Sequence, residues 1–114
     1  MSTFTVISFN AHAGLRPLRN KACVPYDLRS VLLGFDADVI VMQESWWPDD
    51  GMAVVDDVAA DLGAKVFSLP FGRGTVDPWP HCRRDGSGEG ELGLSIITKL
   101  PAEEVRHTPL GQVW

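Results

Sequence analysis

The stretch Asp36-Ala37-Asp38-Val39-Ile40-Val41-Met42-Gln43-Glu44 decides how this chain is read. Four consecutive apolar residues, three of them β-branched, lie between an acidic turn and the bulky segment Trp46-Trp47-Pro48. A run this short and this rich in branched side chains suits a strand covered on both faces better than a helix. On this reading Glu44 marks the point where the strand leaves the sheet and meets solvent.

Toward the N-terminus, Phe4-Thr5-Val6-Ile7-Ser8-Phe9 has the same form and ends at Asn10. Between the two runs come His12-Ala13-Gly14, a basic polar stretch with Arg16, Arg19 and Lys21, and then Pro25, a residue able to open a helix at its first turn. Leu28, Val31, Leu32 and Phe35 follow at the spacing of one helix face, and Gly34 suits the left-handed position that ends a helix. The order strand, helix, strand predicts two parallel neighbours whose C-terminal ends share one edge of the sheet. Sites in open α/β sheets form at such edges. Asn10 and Glu44 would then face one cleft; the alternative makes Glu44 a solvated strand end and Asn10 a turn residue.

Toward the C-terminus, a second helix is expected from Gly51 to Leu62, with Asp49 or Asp50 as N-cap and Gly63 as terminator. Its buried face would be Met52, Val55, Val58, Ala59 and Leu62. Lys65 to Leu69 reads as a short strand ended by Pro70. From Phe71 to Glu91 glycine and proline recur, which predicts a long surface loop over 71–91. Loops of that length in compact domains are uncommon unless they are functional or disordered. Leu92 to Thr98 restores a strand pattern, Pro101 breaks it, and Ala102 to Thr108 is a candidate return strand.

The composition sets limits on function. With 114 residues, 45% of them hydrophobic, the chain suits one domain with a real core. No stretch approaches the roughly 20 apolar residues that span a bilayer, and the N-terminus lacks a signal-like pattern, so a cytoplasmic location is expected. Cys23 and Cys82 have no metal-ligand spacing. A net charge of −5 gives no broad nucleic-acid-binding signature, because displacing phosphate counterions needs clustered Lys and Arg. An anionic substrate would have to be held locally or through a metal.

Three segments, taken in order, resemble the endonuclease/exonuclease/phosphatase superfamily of metal-dependent phosphoesterases. Ile7-Ser8-Phe9-Asn10-Ala11-His12-Ala13-Gly14 is similar to its first motif, a strand closing on Asn. Asp38-Val39-Ile40-Val41-Met42-Gln43-Glu44 is similar to its second, with Gln-Glu the most specific match. Gly93-Leu94-Ser95-Ile96-Ile97-Thr98-Lys99-Leu100-Pro101 is similar to the glycine-led strand that ends in a hydroxyl residue, a basic residue and a proline. The fold the resemblance implies is α/β (α+β): a two-layered β-sandwich flanked by helices, of which residues 1–114 would form a single partial domain, the N-terminal half.

The resemblance assigns Glu44 as ligand to Mg²⁺, with Mn²⁺ as a substitute, and Asn10 as its companion near the metal and the scissile phosphate. The chemistry agrees: Mg²⁺ takes hard oxygen ligands, usually one or two carboxylates, with water and substrate phosphate completing the octahedron. The substrate would be a phosphate ester of unassigned identity. The family's later motifs, a catalytic His, an Asp-x-Asn loop and a terminal Asp-His pair, have no counterpart before Trp114. Half a sandwich leaves a sheet face and an edge strand uncovered, so self-association or a complementing chain is expected. The rival reading from another class is a non-catalytic remnant or binding module that keeps the sheet without the chemistry.

Other features are read structurally. Trp46 and Trp47, which could stack a base or sugar beside a metal, are expected to pack instead. Arg73, Arg83 and Arg84 share their loop with four acidic residues, so a mixed-charge solvated loop is expected. The glycine clusters at 72–74 and 86–90 lack the Lys-Ser/Thr ending of a phosphate loop. His12 lies nearest the cleft, but a surface or hydrogen-bonded role is expected for it as for His81 and His107. Asp56 and Asp57 are expected to face solvent, and Asp36 and Asp38 to shape the turn into the strand.

Overall fold

The structure is a computed structural model, and it describes residues 3–17, 23–49, 51–75 and 89–103. Strand β1 (Val6–Asn10) leads into a single 3₁₀ turn (His12–Gly14), then into a small ribbon of β2 (Leu15–Pro17) and β3 (Cys23–Pro25). Helix α1 (Leu28–Gly34), strand β4 (Val39–Pro48), helix α2 (Val54–Leu62) and strands β5 (Lys65–Thr75) and β6 (Glu89–Thr98) follow. The class is α+β: four strands form one sheet in the order β1-β4-β6-β5, with β1 and β4 parallel and β6 antiparallel to both of its neighbours.

Both helices lie on one face. Leu28 and Leu32 from α1 and Val55, Val58 and Ala59 from α2 pack in one core with Ile40, Met42 and Ile97 from the sheet. Ile40 stands opposite Ile97 and Val66 opposite Ile97 in the ladder, so these side chains share the helix face, as Ile7 and Phe9 do on β1. Burying each such aliphatic side chain contributes about 1.5–3 kcal/mol. Arg29 on α1 spans to α2, its Nε 2.7 Å from Asp57 Oδ2 and its Nη2 paired with Asp61.

The alternate residues point the other way. Val6, Val39, Val41, Phe67, Leu69, Leu94 and Ile96 lie on the second face by register, and no element among the described residues packs against them. Val6 is 52% exposed.

Several boundaries differ from those the sequence suggests. Pro25 ends β3, and α1 is started by Asp27, whose side chain accepts from the Ser30 backbone N–H and from the Ser30 hydroxyl. Those bonds, the hydroxyl's first, hold the Asp27 carboxyl below its usual pKa. Gly34 is the last residue of α1 and the cap Phe35 is extended (φ −74°, ψ 120°), so no left-handed glycine ends this helix. Gly63 does take the left-handed position (φ 62°) after α2. That helix begins at Val54 with Ala53 as its cap and no capping side chain; of the two expected caps, Asp50 lies outside the described residues, and Asp49 is engaged elsewhere: its N–H donates to Glu89 O, and its carboxylate pairs with Arg73. Met52 therefore sits outside the helix and is 69% exposed.

The expected loop over 71–91 is shorter than the glycine content suggested. β5 runs through Pro70 to Thr75 and β6 starts at Glu89, pairing Arg73 with Glu91 and Thr75 with Glu89. Pro70 is tolerated in β5 because it lies on an edge strand at an irregularity between Pro70 and Gly72. Residues 76–88 lie outside the described residues, as do Arg83, Arg84, His81, His107 and most of the candidate return strand 102–108.

Candidate functional site

The parallel ladder from Val6↔Val39 to Asn10↔Gln43 places the C-terminal end of β1 beside Gln43, at the middle of β4. Asn10 has the strand parity of Val6 and Ser8, on the face the helices do not cover. Gln43 on that face donates from Nε2 to Ser8 Oγ at 3.0 Å, locking the last rung. The next residue is Glu44. The expected juxtaposition of Asn10 and Glu44 is therefore present, built by backbone register.

Glu44 does not end its strand. β4 continues to Pro48, and the ladder to β6 slips between Met42↔Ser95 and Ser45↔Gly93. Glu44 is the extra residue of this β-bulge and takes a left-handed conformation, φ 50°, rare for a residue with a Cβ. Its side chain is 45% exposed. Buried neighbours hold the bulge: Ser45 and Ser95 are fully buried, and Ser95 Oγ donates to Ser45 Oγ at 2.7 Å. Gly93 is required here, since a Cβ on it would strike the Leu69 carbonyl oxygen and come within 2.6 Å of Pro70 Cα.

The segment after β1 is equally irregular. His12 (φ 50°), Ala13 (φ 54°) and Gly14 (φ 76°) are left-handed in succession. Hydrogen bonds over-determine this shape. Ala11 N–H donates to Gln43 O at 2.9 Å, His12 N–H to Asn10 Oδ1 at 2.9 Å, and Gly14 N–H to Ala11 O at 2.9 Å. The Tyr26 hydroxyl adds a fourth bond to Ala11 O at 2.7 Å, and burial raises its pKa.

The outcome is a cluster of Asn10, His12 and Glu44. His12 Nδ1 lies 3.4 Å from Glu44 Oε2, with the two side chains 53% and 45% exposed. The expected surface position of His12 is correct, and its proximity to Glu44 adds to it. Non-glycine residues held in rare backbone regions cost about 1–3 kcal/mol each and gather at functional sites. Here two of them, on separate segments, aim side chains at one another.

Trp46 and Trp47 pack, as expected. Trp46 is 8% exposed and shares a small cluster with Ala13 and Leu15; Trp47 leans on the main core. Trp46, Ala13, Leu28, Ser45, Met52 and Val55 line a cavity of about 30 Å³, and Trp46 Nε1 is buried with no hydrogen-bond partner among the described residues. Arg73 is tied to Asp49 and lies 3.8 Å from Glu91 Oε1, bridging three strands at the far end of β4. Asp57 is committed to Arg29, and Asp38 Oδ2 accepts from Thr5 N–H at 2.9 Å where β1 begins.

Sequence reasoning missed three supports of the site: the bulge at Glu44, the Ser45–Ser95 pair and the Tyr26 hydroxyl. The two serines, each inside an apolar strand run, were the available signal. No group of three or more His, Cys, Asp or Glu side chains stands in metal-binding proximity among the described residues, and no helix among them is long and apolar enough to cross a membrane. The chain matches no family model, no curated protein and no solved structure.

Proposed function

We propose that this chain carries part of a metal-dependent phosphoester hydrolase of the endonuclease/exonuclease/phosphatase type, with Glu44 as ligand to Mg²⁺ or Mn²⁺ and Asn10 beside it. The observation that supports this reading is the convergence of the three resembling segments: the parallel ladder of β1 and β4 runs to the Asn10↔Gln43 rung with Glu44 next in the chain, and Gly93 on β6 lies against the bulge that turns Glu44 out.

The donors fit such an ion. A carboxylate and a carboxamide oxygen are hard ligands, and an exposed carboxylate leaves room for the water and phosphate oxygens that Mg²⁺ retains. When bound, the cation would polarise a phosphoryl oxygen and offset charge developing in the displacement. Glu44 would hold it. Asn10, whose Oδ1 already accepts from His12 N–H, has its amide N–H groups left to donate to a phosphate oxygen. The uncovered sheet face fits a second layer, contributed by other residues of this chain, a complementing chain or a second copy. The substrate is a phosphate ester, the compartment cytoplasmic.

The test is cation-dependent hydrolysis of a generic phosphodiester by the purified chain, beside Glu44→Gln and an EDTA control, with thermal melts in parallel. The expected result is turnover lost in both controls and a rise in Tm with Mg²⁺ that Glu44→Gln abolishes, since a ligand that binds only the native state stabilises it. Melts that ignore the cation, with no turnover, would instead support a non-catalytic binding module. That alternative draws on the small donor set: no group of three or more His, Cys, Asp or Glu side chains stands together among the described residues.

A further inference from the structure

We propose that His12 is itself a ligand of the cation site, giving it a mixed nitrogen and oxygen donor set that favours a borderline divalent ion such as Zn²⁺ over Mg²⁺. This rests on the reading of Glu44 as a metal ligand and adds to it a residue and a metal preference.

The first observation is the separation of the two donors. His12 Nδ1 and Glu44 Oε2 are 3.4 Å apart. A charge-assisted hydrogen bond between such groups closes to about 2.7–2.9 Å, so this pair is close without being bonded to that standard. Two ligands of one ion bound at about 2.1 Å stand roughly 3.0 Å apart at right angles and about 3.4 Å apart at the tetrahedral angle. The observed distance falls where two donors sharing an ion belong.

The second observation is how the pair is held. His12 and Glu44 are both left-handed at φ 50°, on segments joined through the β1–β4 ladder, the Ala11 N–H bond to Gln43 O and the packing of Ala13 with Trp46. Either residue in ordinary extended backbone would send its side chain elsewhere. Asn10 fixes His12 by accepting its N–H, and Tyr26 fixes the Ala11 carbonyl one residue earlier. Rare conformations braced from both sides place ligands before an ion arrives, which lowers the ordering cost of binding.

The donor chemistry sets the preference. Imidazole suits Zn²⁺, Fe²⁺ and Ni²⁺, whereas Mg²⁺ is held by oxygen and keeps its waters. An Asn–Glu pair alone would suit Mg²⁺. The same pair with His12 shifts the balance toward the borderline metals.

The test is calorimetric titration of the full chain with Zn²⁺ alone and Mg²⁺ alone, in wild type, His12→Asn, His12→Gly and Glu44→Gln, with far-UV circular dichroism to verify folding. Asn and Gly both accept a left-handed backbone, so neither substitution disturbs the loop, and the second serves should the first misfold. The expected result is Zn²⁺ affinity at least about tenfold above that for Mg²⁺ in wild type. In both His12 variants Zn²⁺ affinity should fall about tenfold or more while Mg²⁺ affinity moves less than about threefold. Equal losses for the two ions, or no loss, would overturn the assignment of His12 as ligand. Glu44→Gln separates this from the reading beneath it. If that variant weakens both ions, Glu44 stands as ligand whatever His12 does; if it weakens neither, the phosphoesterase reading itself falls.

Discussion

The two halves of β4 are built from the same strand and do opposite things. From Val39 to Met42 the strand is regular, pairs rung by rung with β1 and β6, and buries Ile40 and Met42 under the helices at 2% and 0% exposure. From Gln43 to Pro48 the register slips, Glu44 enters a left-handed conformation, and its carboxylate is turned out toward His12. The first half contributes stability. The second half uses some of it to hold a charged side chain in a shape that side chain would not choose.

This contrast can be broken most strongly in the regular half. Met42→Ala removes a fully buried side chain next to the bulge and should cost about 2–5 kcal/mol in chemical denaturation. A loss under about 1 kcal/mol would show that the core does not brace this rung. Gly93→Ala strikes the strand beside the bulge on its other side, where a Cβ meets the β5 backbone at Leu69 and Pro70 rather than a movable side chain. Overpacking of this kind costs about 1–3 kcal/mol, and here it should also separate β5 from β6, read as faster amide exchange at Leu69.

Next in size is Ser95→Ala, which leaves the fully buried Ser45 hydroxyl without its partner and should cost about 1–3 kcal/mol. The irregular half should respond in the opposite sense. Glu44→Gly relieves the left-handed strain and should raise stability by up to about 1 kcal/mol while removing any response of Tm to a divalent cation. A destabilised Glu44→Gly would mean that the carboxylate, with its contact to His12, contributes more than its backbone costs.

The smallest effect lies far from the bulge, at the start of α1, and is read through pH. Hydrogen bonds from Ser30 hold the Asp27 carboxyl below its usual value, so its contribution is fully present above the ordinary Asp range near ~3.9 and is lost as pH falls through the lowered folded value. Asp27→Asn keeps an N-cap oxygen without a titrating group. It should flatten the acid limb of the stability curve relative to wild type; an unchanged acid limb would remove Asp27 from the account.

Much of the architecture was legible in the chain. The branched apolar runs at 4–9 and 39–42, with a helical stripe between them, gave the parallel pair and the shared edge, because a βαβ crossing has few other solutions. Asn10 and Glu44 could be placed at that edge for the same reason. Element ends were harder to read. Pro25, Gly34 and Asp49 each have the residue type of a helix boundary, yet each is used by something else: a strand end, an ordinary helical residue and an ion pair across strands. Glycine content over 71–91 argued for a loop, while paired strands occupy both ends of that span.

Local pattern alone determined the order of the main strands and helices, which face of each is apolar, and that a carboxamide and a carboxylate fall at neighbouring positions of two parallel strands. Those features follow from spacing and side-chain shape, which each segment carries within itself. The tertiary structure alone decided the slip at Gln43–Ser45, the left-handed run at His12–Gly14 and the meeting of His12 with Glu44. These depend on partners 30 to 50 residues away, such as the bonds of Ala11 to Gln43 and Ser45 to Ser95, and such shapes exist only when distant segments over-determine them.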